Sequence, residues 1–230
     1  METLNIYSAL TLKAPFERIE ALWHEENPGI ALNIFWHPSR IIEEKLLAGE
    51  KGDVVIATVE TLDRLISSEL VQGNTRIELV DSPIGVAVKA GAPKPDISST
   101  DNLVKSLLAA RSVAWSEAGA SGIYFSGLLK KLDIDHELRS RGTVIAAGFT
   151  AEQLTNGNAD LAIQQISELL MVDGIEIVGA LPDEVQSPVS LSAGLLSSAV
   201  SSASAQRWLT WLKKSAVLDI FSQYGLTERR

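Results

Sequence analysis

The chain has 230 residues, 46% of them apolar, and a formal net charge of -9 at pH 7. That is enough apolar residue to bury a sizeable core, in one large domain or two small ones. The negative balance and scattered basic residues argue against nucleic acid or an anionic membrane surface as the main partner, because nothing neutralises phosphates in a row. With no cysteine there is no disulfide framework and no thiolate chemistry, and the three histidines, His24, His37 and His136, lack zinc-ligand spacing. The expectation is a protein without metal or cofactor.

No stretch approaches the roughly 18 consecutive apolar residues of a membrane span, so membrane insertion is not expected. Met1-Glu2 runs straight into the strand-like LNIYSAL, which leaves no signal peptide in the chain as it stands. Two readings follow: a cytoplasmic protein, or a mature exported one in which Met1 stands where the leader was removed.

Short β-branched and apolar runs alternate with longer segments of helical period. Leu4 to Ala9, Ile30 to Trp36, Asp53 to Ala57, Ile84 to Ala90, Ser112 to Trp115, Thr143 to Ala147, Asp160 to Ile166 and Ile175 to Val178 read as strands. Between them, APFERIEALWHEE places Phe16, Ile19, Leu22 and Trp23 on one helical face behind Pro15, and SRIIEEKLLAGE stops near Gly49. The alternation predicts an α/β fold whose sheets are mostly parallel and buried on both faces. The segment AQRWLTWLKKSAVLDIFSQYG reads as one amphipathic helix or a pair, with Trp208, Leu212, Leu218 and Phe221 inward and Gly225 as the stop.

PIGVAVKAGAPKPDIS and VQSPVSLSAGLLSS look like crossings between two lobes, each a long strand leading into a proline- or serine-rich connector. They predict a second lobe, residues 86–187, inserted into a first lobe of residues 1–85 and 188–230, with a cleft between them. Ligands of open α/β sheets sit beyond the carboxyl ends of strands. Three such ends carry small hydroxyl residues: YSALTLK with Ser8 and Thr11, FWHPSRII with Ser39 and Arg40, and AWSEAGASGIYF with Ser116, Ser121 and Gly122. Each offers free N–H groups and the positive end of a helix dipole, which suits an anion. In the bland reading Ser39 and Ser121 are N-caps, the bare amides of Gly119 to Gly122 bind nothing, Arg40 is a solvated charge and His37 is a packing residue. Yet Arg40 opens a helix, where a cation is misplaced unless an anion or carboxylate offsets it.

YSAL, SRIIEEKLLAGEKGDVVIATVETLDRL, GVAVKAGAPKPDIS, SGIYFSGLLKKLDI and GNADLAIQQISELLMVDGIEIVGALPDEVQ together resemble the molybdate-binding type of bacterial extracellular solute-binding protein, over nearly the whole chain. Within that type they are most similar to a subgroup that includes aconitate isomerase-like proteins. The resemblance implies a two-lobed periplasmic-binding-protein fold of type II, a periplasmic monomer, and a small anion held between the lobes for an ABC-type transporter. It carries ligand contacts to Ser8 with Ala9, to Ser39, to Ser121 with Gly122, to Gly148 and Phe149, and to Gln165. Arg40 stands where molybdate binders have a small residue and Gln165 where they have tyrosine. A guanidinium matches a carboxylate in a planar, bidentate way, so a small organic acid is the expected ligand, with an oxyanion as the alternative.

The alternative implied by the same resemblance is an isomerase that moves the double bond of an unsaturated tricarboxylate by a proton shift. Such chemistry needs a base near the acidic C–H and a sink for the developing carbanion. Glu117, Glu168 and His37 are the candidate titratable groups. No Ser-His-Asp pattern, GxSxG elbow or P-loop accompanies them.

Overall fold

The structure, a computed structural model, describes residues 2–117, 119–200 and 202–229. In chain order it runs β1 (Glu2–Ala9), a 3-10 turn (Leu10–Leu12), α1 (Lys13–Glu26), β2 (Ile30–His37), α2 (Ser39–Leu47), β3 (Val54–Thr58), α3 (Val59–Ser67) and β4 (Ile77–Ser82). Next come β5 (Ile84–Lys89), α4 (Thr100–Ala109), β6 (Val113–Ser116), α5 (Ala120–Lys131), α6 (Asp135–Arg141), β7 (Thr143–Ile145), α7 (Glu152–Thr155), β8 (Leu161–Gln165), α8 (Ile166–Leu169) and β9 (Ile175–Ala180). The chain closes with β10 (Val189–Leu195), α9 (Ser202–Leu212), α10 (Ser215–Gln223) and β11 (Thr227–Glu228). It divides into two compact units, Met1–Asp81 with Ser190–Arg230, and Ser82–Val189.

The first unit is built on a sheet of order β11-β4-β10-β3-β1-β2, the second on β7-β6-β8-β5-β9. The expectation of mostly parallel sheets needs amending, because both are mixed. β1 pairs with β2 and β3 in parallel, but β10 meets β3 antiparallel. Likewise β6 is parallel to β7 and β8, whereas β5 is antiparallel to β8 and β9. The parallel pairs are joined through helices. The antiparallel ones involve β5 and β10, which lie near the unit boundaries, and the short β11, which pairs with β4. β4 is not among the strands expected from the sequence, because RIELVDS interleaves charges with its apolar residues.

Alternation along the strands covers both faces, as buried parallel pairs require. In the first unit Leu4, Ile6, Val54 and Ile56 pack on one side of the sheet with Trp23, Trp208 and Phe221. Tyr7, Val55 and Ala57 pack on the other with Ile42 and Leu46 of α2. The end of the chain is a helix pair, α9 and α10, whose Trp208, Leu212 and Phe221 are fully buried, with Leu218 at the margin. Trp23 meets Trp208 edge-on at 4.9 Å between ring centroids. In the second unit large residues take one face (Val86, Val113, Trp115, Ile163) and alanines the other (Ala87, Ala114, Ala162). That small-residue face admits the single-turn helices α7 and α8 close to the strands.

Arg229 fastens the chain end to the first sheet. Its guanidinium donates to Glu78 (2.6 Å) and Asp81 (3.1 Å) around β4, and to the Ser190 hydroxyl (2.9 Å) at the start of β10. Burial works to raise the Glu78 carboxyl, but hydrogen bonds from Arg76, Ser192 and Arg229 hold it down at about 2.

Candidate functional site

Because β1, β2 and β3 run in one direction, their carboxyl ends lie at one edge of the first sheet, and the predicted residues Ser8, Ala9, His37, Ser39 and Arg40 gather there. Ala9 is the register partner of His37. Ser8 is fully buried, with its hydroxyl 3.5 Å from the Ala9 carbonyl. Ser39 does not cap α2: Pro38 holds the N-cap position, and no side chain caps that end. The Ser39 hydroxyl instead accepts from the Thr58 N–H at 3.0 Å, tying the start of α2 to the end of β3. His37 is half-buried at the last position of β2. The cation of Arg40 is offset by Glu44 one turn on, at 3.1 Å, and its side chain is 78% exposed.

The same logic assembles a second set in the other unit. The parallel strands β6, β7 and β8 end together at Ser116, Ile145 and Gln165. After β6 the chain enters α5, whose N-cap is Gly119 and whose first turn has no side-chain cap, so that end presents backbone N–H groups. Ser121 is the second helical residue and, like Ser39, caps nothing. The small residues here also have a packing reason. A Cβ on Gly122 would fall 1.7 Å from the Ser116 carbonyl oxygen, and one on Gly119 would fall 2.8 Å from the Ser116 hydroxyl. Only bare backbone lets α5 start so close to β6. Ala118 of the same stretch lies outside the described residues.

After β7, Gly148 adopts φ of +105°, a left-handed conformation that favours glycine, and turns the chain toward Phe149 and Thr150. Gln164 fixes that turn. Its carbonyl oxygen accepts from the Thr150 N–H (2.9 Å) and hydroxyl (3.0 Å), and its amide donates to the Gly148 carbonyl (3.1 Å). Gln165 is buried beside it at the end of β8. Glu168, in the helix that follows, is partly accessible yet deeply set: burial pushes its carboxyl up to about 7, against hydrogen bonds from Gln164 and Gln165. Glu117 is exposed, with its N–H donating to the Ile145 carbonyl at 2.9 Å.

Sequence reasoning missed Thr58, Thr150 and Gln164. The signal for Gln164 was visible as a polar residue inside the buried strand LAIQQ. For Thr58 it was the strand-to-helix change within VVIATVETL. Among the described residues no group of three or more acidic residues or histidines is placed to hold a metal ion. Each set, taken by itself, gathers hydroxyls, backbone amides and a helix N-terminus at strand ends, and the second also holds Glu168, whose carboxyl burial pushes up.

Residues 4–227 match the family described as bacterial extracellular solute-binding protein. The chain belongs to that family. A Pseudomonas sp. protein named aconitate isomerase is 34% identical over an alignment of 209 residues that covers 88% of this chain and 79% of the relative. The periplasmic molybdate-binding protein of Azotobacter vinelandii superposes with a TM-score of 0.77 at 18% identity, covering 99% of this chain and 100% of its own. The tungstate-binding protein TupA of Desulfovibrio alaskensis superposes at 0.71 with 10% identity, covering 100% and 99%. These likenesses, with the α/β architecture in two units, give this solute-binding family member the type II periplasmic-binding-protein fold. Among the described residues no helix is long and apolar enough to cross a membrane.

Proposed function

We propose that this protein binds a small organic acid in the periplasm, as a monomer, and presents it to an ABC-type transporter. The observation that carries the reading is that Ser39 and Ser121 stand at uncapped helix starts, beyond parallel strand ends, without serving as caps. Hydroxyls and amides so arranged are donors in search of a negative partner. Family membership supports a binding role, and Arg40 and Gln165 turn the choice from an oxyanion toward carboxylates. Ser8, Ala9, Ser39, Arg40, Ser121, Gly122, Gly148, Phe149 and Gln165 are the proposed ligand contacts. A thermal-shift series with molybdate, sulfate, citrate and cis- and trans-aconitate tests it, since a ligand that binds only the folded state raises stability by mass action. A di- or tricarboxylate should raise the melting temperature more than either oxyanion. The reverse order would return the protein to oxyanion binding.

The second reading is an isomerase acting on an unsaturated tricarboxylate, and two observations favour it: the 34% identity with aconitate isomerase and the Glu168 carboxyl near neutrality. As a base Glu168 would take the proton from one allylic carbon and, as its acid, return it to the other, with the amides holding the carboxylates of the delocalised carbanion. Proton NMR of cis- or trans-aconitate with the protein in heavy water separates the readings. Deuterium uptake abolished by Glu168→Gln, and less affected by Glu117→Gln or His37→Asn, makes it an enzyme. Binding without exchange leaves a receptor.

A further inference from the structure

The second unit also holds a cavity of about 790 Å³ that is lined by none of the proposed ligand contacts. It lies by Leu161, the first residue of β8, whereas Gln165 is the last; four steps along a strand separate the two places by about 13 Å. Its floor is apolar, with Val88, Leu154 and Leu161 among the buried side chains that line it. Its rim is cationic: Lys89, Lys94, Lys105 and Arg111 line it, against one acidic residue, Asp160. In a chain of net charge -9, that is a local reversal of sign. Two of the four cations are already matched, Lys94 with Glu176 at 3.2 Å and Arg111 with Asp160 at 3.0 Å. Lys89 and Lys105 are exposed and in no ion pair among the described residues, although Lys105 helps to hold the Asp96 carboxyl down.

We infer that this cavity is a second binding site, for an organic monoanion with an apolar body, such as a medium-chain or aromatic carboxylate. A bare oxyanion would gain nothing from the floor, and a cation would be repelled by the rim. An apolar body removes floor and ligand from water together, while a single carboxylate meets Lys89 and Lys105. The volume falls in the range of small-molecule sites, about 300 to 1,000 Å³.

The test uses the whole chain and anilinonaphthalene sulfonate, a fluorescent anion with an apolar body. One saturable site is expected, emptied by decanoate and about tenfold less well by decanol. Lys89→Glu with Lys105→Glu should weaken the probe at least about tenfold, and Ala109→Trp, at an exposed helical position that lines the cavity, should block it. The thermal shift caused by tricarboxylates should persist in these variants, which keeps the outcome separate from that of the strand-end site. Fluorescence that never saturates, that survives both sets of substitutions, or that decanol and decanoate quench equally would overturn the inference.

Discussion

Gly122 and the Ser116 carbonyl are so close that a methyl group on Gly122 would fall 1.7 Å from the oxygen. Gly122→Ala must therefore push the start of α5 away from β6, at a cost of roughly 1 to 3 kcal/mol, and displace the amides proposed to hold the ligand. Gly127, in the same helix, has open space where a methyl group would stand, with nothing within 4 Å, so Gly127→Ala should instead stabilise by about 0.5 to 1 kcal/mol. Urea unfolding of the two variants checks the pair. Equal effects would mean that the contact with Ser116 relaxes without cost.

Glu168 gives a dependence on pH whose sign can be worked out. Its folded carboxyl titrates at about 7, against an ordinary 4.5, so between those values the folded protein holds a proton that the unfolded chain releases. Stability therefore falls as pH rises through that window, by roughly 1 to 3 kcal/mol. Glu168→Gln should flatten that slope in unfolding measured from pH 4.5 to 8. If the anion binds beside Glu168, wild-type affinity should also fall above about pH 7, where the ionised carboxylate repels it, and the variant should lose that fall.

Removing the Gln164 side chain leaves the buried Thr150 N–H without its acceptor, while the Thr150 hydroxyl keeps the Ile163 carbonyl at 3.3 Å. Gln164→Ala should cost about 1 to 3 kcal/mol, the penalty for an orphaned buried polar group, and loosen the turn at Gly148. Faster amide hydrogen exchange at Thr150, with little change at Val113 in β6, is the expected pattern. Uniform acceleration would assign Gln164 to global stability alone.

Arg229 is the third hydrogen-bonding partner that keeps Glu78 ionised, with Arg76 and Ser192. The folded Glu78 carboxyl lies below its ordinary range, so its contribution is complete above pH 4.5 and is lost as pH falls toward 2. Arg229→Ala should cost roughly 1 to 2 kcal/mol at neutral pH and move the acid-unfolding midpoint upward. An unchanged midpoint would show that Arg76 and Ser192 suffice.

The parts of the fold most legible in the sequence were those in which burial and period coincide. The helix carrying Phe16, Ile19 and Trp23 and the terminal pair carrying Trp208 and Phe221 show their apolar faces plainly. Strand direction was not legible: β5 reads like any buried strand, and only its partners decide that it runs antiparallel to β8. Side-chain roles at strand ends were half legible. Ser39 and Ser121 could be located, but a serine next to a helix start reads as a cap whether or not it caps. The Thr58 bond to Ser39 spans 19 residues, beyond any local pattern. Gly122 carried an ambiguity of its own, because a glycine that exposes its amide and one that makes room for a neighbour look alike in a sequence.

The inserted arrangement of the chain sets an order of events during synthesis. The second unit, Ser82–Val189, is continuous, and all its strands exist once Val189 has been made. The first unit then has β1 to β4 but neither β10 nor β11, which complete its sheet, nor Trp208, which covers Trp23. Synthesis at about 5 to 20 residues per second leaves that half-built sheet waiting some seconds for the last forty or so residues, with the edges of β3 and β4 unpaired. The inserted unit should therefore complete its fold first as the chain emerges. The earlier-made half would then be the one in need of a chaperone.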